Sequence, residues 1–296
     1  MNRASVFLGI ATLAVLASCA PVAPSPATDT PIPATDAALP TSTAPTAGLQ
    51  LAADKLRLSG LQNPVLFTLP GMDRVMVDNV PYKEGSTLDV YYPPDFDPNV
   101  PAPAVIFVFG ISDSSALTMA GSTFKEMGQY ISWGQLVAAS GLIGVTYEVT
   151  SEPRGDIHDA STYVWENGPA LGINPDRFCL WASSSHSIAA LGVLTDTTSD
   201  YRGSLACGVI YYGDTRTINP LRSDVPLFIV EAGQDSAGTN RRIEEFVDEA
   251  KSVGVEVEFV IYPDGLHGFE VEQDTDDTQD IVKRTLEFLA THLMTP

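Results

Sequence analysis

From about Leu51 onward the chain switches between two hydrophobic rhythms, and each rhythm predicts a kind of element. "DRVMVDNVPY" (73–82) and "STLDVYYPP" (86–94) alternate apolar and polar positions, with "KEG" between them. That pattern predicts a half-exposed antiparallel pair of strands. "PAVIFVFG" (103–110), "LIGVTYEV" (142–149), "SLACGVIYYG" (204–213) and "VPLFIVEAG" (225–233) are continuous apolar runs. Such runs suit strands covered on both faces. "INPDRFCLWA" (173–182) reads as a turn and a strand, and "VEVEFVIYPDG" (255–265) as a further strand. Helical spacing separates them in "FKEMGQYISWGQLVAASG" (124–141), "RGDIHDASTYVWENGPALG" (154–172), "IAALGVLTD" (188–196), "TNRRIEEFVDEAKSVG" (239–254) and "TQDIVKRTLEFLATHL" (278–293). Strands alternating with helices after an antiparallel start predict a three-layer α/β domain over 51–296. Its mostly parallel sheet of about eight strands would carry helices on both faces.

The first fifty residues have a different texture. Asn2 and Arg3 precede the apolar "ASVFLGIATLAVLASCA", too short for a comfortable membrane span and placed as an export signal is. It stops at "LASC", Leu16 to Cys19, which resembles the bacterial lipobox. That resemblance implies a signal peptide over 1–19 and a lipid anchor on Cys19, and with it an exported protein held on the cell envelope. Residues 20–50 are rich in Pro, Ala, Thr and Ser, with almost no large apolar side chain. Such a segment cannot bury enough surface to offset chain entropy, so it is expected to be a disordered tether.

Composition narrows the partners. Lys+Arg is 16 against Asp+Glu 37, a formal net charge of -21. This surface repels phosphate backbones, so nucleic acid is not expected as a partner. Past the signal only Cys179 and Cys207 remain, each inside an apolar run. Free cysteines in apolar runs behave as small hydrophobes, which is the favoured expectation; a disulfide between strands expected to be neighbours is the alternative that export allows. No Cys/His spacing suggests zinc, and no cofactor is called for. His158 and His292 read as surface residues. The oligomeric state is not readable.

Working residues in open α/β sheets collect at the carboxyl ends of the strands. Those ends are followed by "ISDSS" after "VIFVFG", "SSSHS" after "FCLWA", "QDSAG" after "LFIVEAG" and "LHGFE" after "FVIYPDG". Serine, acid, histidine is the chain order of one known triad. From about Met72 to the C-terminus the chain resembles α/β-hydrolases of the dienelactone hydrolase and small serine esterase type. "LDVYYPP", "PAVIFVFG", "LGINPDRFCLWA" and "LHGF" carry that resemblance.

The resemblance implies a strained strand-to-helix elbow holding the nucleophile. Two registers compete. One makes Ser184 the nucleophile, with His186 where glycine is usual; the other makes it Ser185. Aligning Trp181 and Ala182 with the family's Trp-Gly favours Ser184. His186 then shapes the pocket wall or the helix packing. His267, between glycines, is the expected base, and Asp235 the acid that orients it. Glu231 is a fallback acid, and Asp264 reads as a turn residue. The oxyanion donors would be the amides of Ser185 and Ile111. Phe109 stands where esterases of this kind carry a bracing histidine, which weakens that half of the hole. The acidic run "EVEQDTDDTQD" (270–280) reads as a solvated loop and helix start.

The implied activity is hydrolysis of a small carboxylic ester through an acyl-enzyme. Dienelactone hydrolases proper use cysteine, so a serine here points to an esterase. A second reading is a catalytically degenerate binding protein on the cell surface, because Ala182, His186 and Phe109 depart from the commoner pattern. A peptidase is disfavoured, since the related oligopeptidases carry a propeller for which this chain has no room.

Overall fold

The computed structural model describes residues 63–216 and 219–294. The signal peptide, Cys19 and the tether lie outside the described residues. Among the described residues the chain forms one eight-stranded sheet. β1 (Met76–Lys83) and β2 (Ser86–Tyr92) form the antiparallel entry, and β2 also runs antiparallel to β4 (Ile143–Tyr147). β3 (Ala102–Phe107), β5 (Ile173–Ser183), β6 (Leu205–Tyr211), β7 (Leu227–Ala232) and β8 (Val257–Tyr262) complete the sheet in parallel with β4. Every residue of β4 and of β7 is buried, as strands covered on both faces must be.

The helices are α1 (Asp113–Ala120), α2 (Gly128–Ala139), α3 (Pro153–Asn167), α4 (Ser187–Leu194), α5 (Ala237–Ser252), α6 (Phe269–Glu272) and α7 (Asp276–Met294). α2 packs on β4, α3 on β5, α4 on β5 and β6, α5 on β7 and β8, and α7 on β5 and β6. Two details differ from the expectation. α1 follows β3 where only a loop was read, capped by Ser112, whose side chain accepts the Ser115 amide. The helix read over 124–141 begins only at Gly128, because residues 124–126 form a separate tight turn with a Thr123–Glu126 capping box.

α2 is buried along almost its whole length, so it needs unusually close contact with the sheet. Glycines supply it. A Cβ on Gly144 of β4 would stand 3.0 Å from the Gly134 Cα and 3.1 Å from its carbonyl oxygen. A Cβ on Gly134 would reach the Tyr91 ring at 2.8 Å.

The cysteine expectation is corrected. Cys179 and Cys207 are joined in a disulfide between β5 and β6, with their Cα atoms 4.7 Å apart. The register that pairs Cys179 with Cys207 brings them together, and no local pattern in the chain shows that register.

Gly144→Ala forces α2 off the sheet in a region with no room to relax. We expect a loss of about 1–3 kcal/mol, read as a lower midpoint in urea unfolding with an unchanged slope.

Candidate active site

The β5 strand ends at Ser183, and the next residue turns the chain by adopting the left-handed region: Ser184 has φ 52°. An L-residue held there costs roughly 1–2 kcal/mol, so its surroundings must hold it. They do so by close packing and one hydrogen bond. The Asp214 amide donates to the Ser184 carbonyl at 3.3 Å. A Cβ on Gly110 would lie 3.1 Å from the His186 Cα and 3.3 Å from the Ser185 carbonyl oxygen. A single tight turn over 184–186 leads directly into α4, and Ser184 is left at the corner with its hydroxyl free to reach out.

That hydroxyl meets His267. Ser184 Oγ lies 2.8 Å from His267 Nε2, and His267 Nδ1 lies 2.6 Å from Asp235 Oδ2. A carboxylate can only accept, so Nδ1 carries the proton and Nε2 receives the hydrogen bond from the serine. The second carboxylate oxygen, Asp235 Oδ1, accepts the Ser236 amide at 2.7 Å. Ser185 takes no part in this chain and faces solvent.

Asp235 and His267 sit on two loops that are fastened together. Gly233 N–H donates to the Tyr262 carbonyl at 2.8 Å, and Gln234 N–H to the Gly265 carbonyl at 2.9 Å. The Gln234 side chain adds a bond to the Pro263 carbonyl at 2.9 Å. Gly233 is obligatory, because a Cβ there would meet the Pro263 carbonyl oxygen at 2.4 Å. Glu231, one residue before the end of β7, is buried, and Asp264 is an exposed turn residue.

The two amides expected to receive an oxyanion lie in the turn that follows β5 and in the loop that follows β3. Ser185 is the second residue of the turn over 184–186, where amides have no intrahelical acceptor. The Ile111 amide has no acceptor among the described residues. Where a bracing histidine was missed at Phe109, two other groups hold the loop: the Phe109 amide donates to Tyr147 Oη at 3.1 Å, and the Gly110 amide to His186 Nδ1 at 2.8 Å. His186 is buried against the rings of Phe109, Phe124 and Tyr130. Burial lowers its pKa to about 4, so the ring is neutral and its Nδ1 can accept.

A cleft of about 460 Å³ opens over these groups. Its wall near His186 carries Phe124 and Tyr130; near His267 it carries Tyr212 and Val271. Beneath it lies a network that sequence reading missed. Tyr212 sets its ring 4.5 Å from that of His267 and donates its hydroxyl to Glu270 Oε1 at 2.6 Å. Gln129 Nε2 donates to the same oxygen at 2.7 Å. Glu270 is fully buried, and that burial raises its pKa above the ordinary carboxylate value. It is therefore not part of a solvated acidic run, as 270–280 was read. Its position directly after "HGF" was the only available signal. His158 and His292 are half-buried and partnered, by Tyr201 and by the Phe288 ring, rather than free on the surface. A second cavity of about 310 Å³, lined by Arg154, His158 and Arg216 among others, holds none of the triad. Among the described residues no cluster of His, Cys, Asp or Glu is arranged to hold a metal, and no helix is long and apolar enough to cross a membrane.

Solved structures share this fold. An esterase from the planctomycete Thermogutta terrifontis superposes with TM-score 0.58 at 17% identity, covering 75% of this chain and 94% of its own. MGS-M1, an α/β-hydrolase enzyme from a Medee basin deep-sea metagenome library, gives TM-score 0.57 at 18% identity, with 75% and 99% covered. This chain has the α/β-hydrolase fold. The Thermogutta esterase phosphoramylated by tabun gives TM-score 0.59 at 16% identity, covering 77% and 98%. A model of the dienelactone hydrolase family matches residues 192–293, a span that contains Asp235 and His267 but not the serine turn. No curated protein sequence matches the chain.

The neutral, buried His186 makes stability depend on pH. Between pH 4 and 6.5 the unfolded chain carries a proton on this residue that the folded chain lacks, so its contribution is lost as pH falls through that window. Measured by urea unfolding, the stability of the wild type relative to His186→Phe should drop by about 3 kcal/mol from pH 6.5 to pH 4.

Proposed function

We propose that this chain is a serine carboxylesterase acting on small esters through an acyl-enzyme, with Ser184, His267 and Asp235 as its triad. The observation that carries the reading is the continuous chain of hydrogen bonds from Ser184 Oγ through the imidazole to Asp235. The serine attacks the ester carbonyl while His267 Nε2 takes its proton. Asp235 keeps the other ring proton in place and stabilises the imidazolium that forms. The amides of Ser185 and Ile111 receive the negative charge that develops on the carbonyl oxygen. His267 then protonates the departing alcohol, and a water activated by the same ring releases the acid. No cofactor enters this cycle.

Three features support it. The fold is shared with esterases, one of which is modified covalently by an organophosphorus agent. The departures at Phe109 and His186, which favour a degenerate binding protein, are compensated by Tyr147 and by His186 itself. The cleft is open and modest in volume, which suits a short acyl group and a small alcohol.

The same reading extends to the envelope. The "LASC" motif supports Cys19 as the lipid attachment point, and with it a position outside the cytoplasm on a membrane surface.

A fluorophosphonate probe should label the purified wild type and Ser185→Ala, but not Ser184→Ala; labelling lost only in Ser185→Ala makes residue 185 the nucleophile. Asp235→Asn should lower kcat for p-nitrophenyl acetate by roughly 10³–10⁴-fold, because the imidazole loses its tautomer. In cells fed radiolabelled palmitate, label should enter the full chain and disappear in Cys19→Ser.

A further inference from the structure

His186 does more than brace a loop. A backbone amide can only donate, so the 2.8 Å contact from Gly110 N–H leaves His186 Nδ1 without a proton. The neutral ring therefore carries its hydrogen on Nε2. The ring cannot turn to exchange the two nitrogens without losing that bond, and Phe109, Phe124 and Tyr130 enclose it on several sides. Among the described residues no acceptor meets Nε2. The residue nonetheless lines the cleft beside Ser184. A donor held in one tautomer by the Gly110 amide, with no acceptor among the described residues and on a residue that lines the cleft, is suited to meet a substrate oxygen.

We infer that His186 holds an acceptor oxygen in the acyl part of the substrate through Nε2–H, which makes it a specificity-determining residue for esters of short oxygenated acids. This rests on the esterase reading above. The side of the substrate follows from the triad. The leaving alcohol must lie next to His267 Nε2, which protonates it. The carbonyl oxygen must lie between the amides of Ser185 and Ile111. The acyl chain is left with the remaining wall, where His186 packs with Phe124 and Tyr130 and not with the His267–Tyr212 pair. An ether or hydroxyl oxygen one or two carbons from the carbonyl would satisfy an N–H that a plain alkyl chain leaves unpaired, and leaving such a group unpaired is costly.

The test uses two nearly isosteric substrates, 4-nitrophenyl methoxyacetate and 4-nitrophenyl butyrate, which differ by an oxygen in place of a methylene. Their kcat/KM ratio is divided by the ratio of their hydroxide-catalysed rates, which removes intrinsic reactivity. The wild type should prefer the methoxyacetate by about fivefold to tenfold on this corrected scale. His186→Asn keeps an acceptor for the Gly110 amide and loses the Nε2 donor, so its corrected ratio should fall to near unity. A ring that only packed or braced the loop would change both esters together and leave the ratio alone. Vigorous turnover of both esters with a flat ratio in the wild type overturns this inference and spares the esterase reading. An unchanged ratio in His186→Asn overturns it too. Failure of the wild type to turn over either ester, together with no fluorophosphonate labelling, overturns both.

Discussion

The single left-handed residue at the end of β5 is the constraint on which the rest of the site depends. Ser184 at φ 52° aims its hydroxyl away from the sheet, and every neighbour of that corner is cut to fit it. On one side a Cβ at Gly110 would press to 3.1 Å from the His186 Cα, and on another a Cβ at Gly213 would fall 1.9 Å from Ser187 Oγ. The unfavourable backbone is tolerated because β5 is a central strand, paired in parallel with both β3 and β6 and buried at its end. Strain of this kind can persist only where surrounding structure over-determines it. The disulfide between Cys179 and Cys207 ties β5 to β6 within the same strand.

The site is also held from outside the triad by buried polar groups, which is notable in so acidic a chain. Lys125 is almost fully buried, 2.9 Å from Glu148 and 2.6 Å from Thr87 Oγ1, with Asp89 at 3.6 Å. Asp113 accepts the amides of Val149 at 2.7 Å and Phe124 at 3.2 Å. Together they pin residues 123–127 against the β2–β4 side of the sheet, and that segment delivers Phe124 to the His186 ring. Removing one partner from such a network leaves a charge or dipole uncompensated, so the arrangement is rigid more than it is strongly stabilising. Glu270 plays a comparable part below His267, where Tyr212 and Gln129 satisfy one of its oxygens.

Two histidines therefore divide the work by environment. His267, half exposed, has a carboxylate on one nitrogen and a hydroxyl on the other, which suits a group that gains and loses a proton. His186, buried among aromatic rings, is kept neutral and makes one directed bond to a backbone amide. Residue type alone does not separate these roles; the dielectric and the partner atoms do.

The periodicity of the chain sufficed for the α/β class, for the strands and for most helices, because apolar spacing is a local property that burial enforces directly. Chain order at the strand ends picked out Asp235, His267 and the serine-rich turn, since the parallel sheet places successive strand ends on one edge. Only the family resemblance favoured Ser184 over Ser185, and the fold brings Ser184, His267 and Asp235 into one line of hydrogen bonds. Tertiary structure decided the remainder. It paired Cys179 with Cys207 through strand register, and it replaced the missing brace at Phe109 with Tyr147 and His186 from other elements. It also drew Glu270 out of an acidic stretch into the interior. Each of these depends on which residues distant in sequence meet in space. A pattern along one strand or helix carries no information about a neighbour that the fold alone supplies.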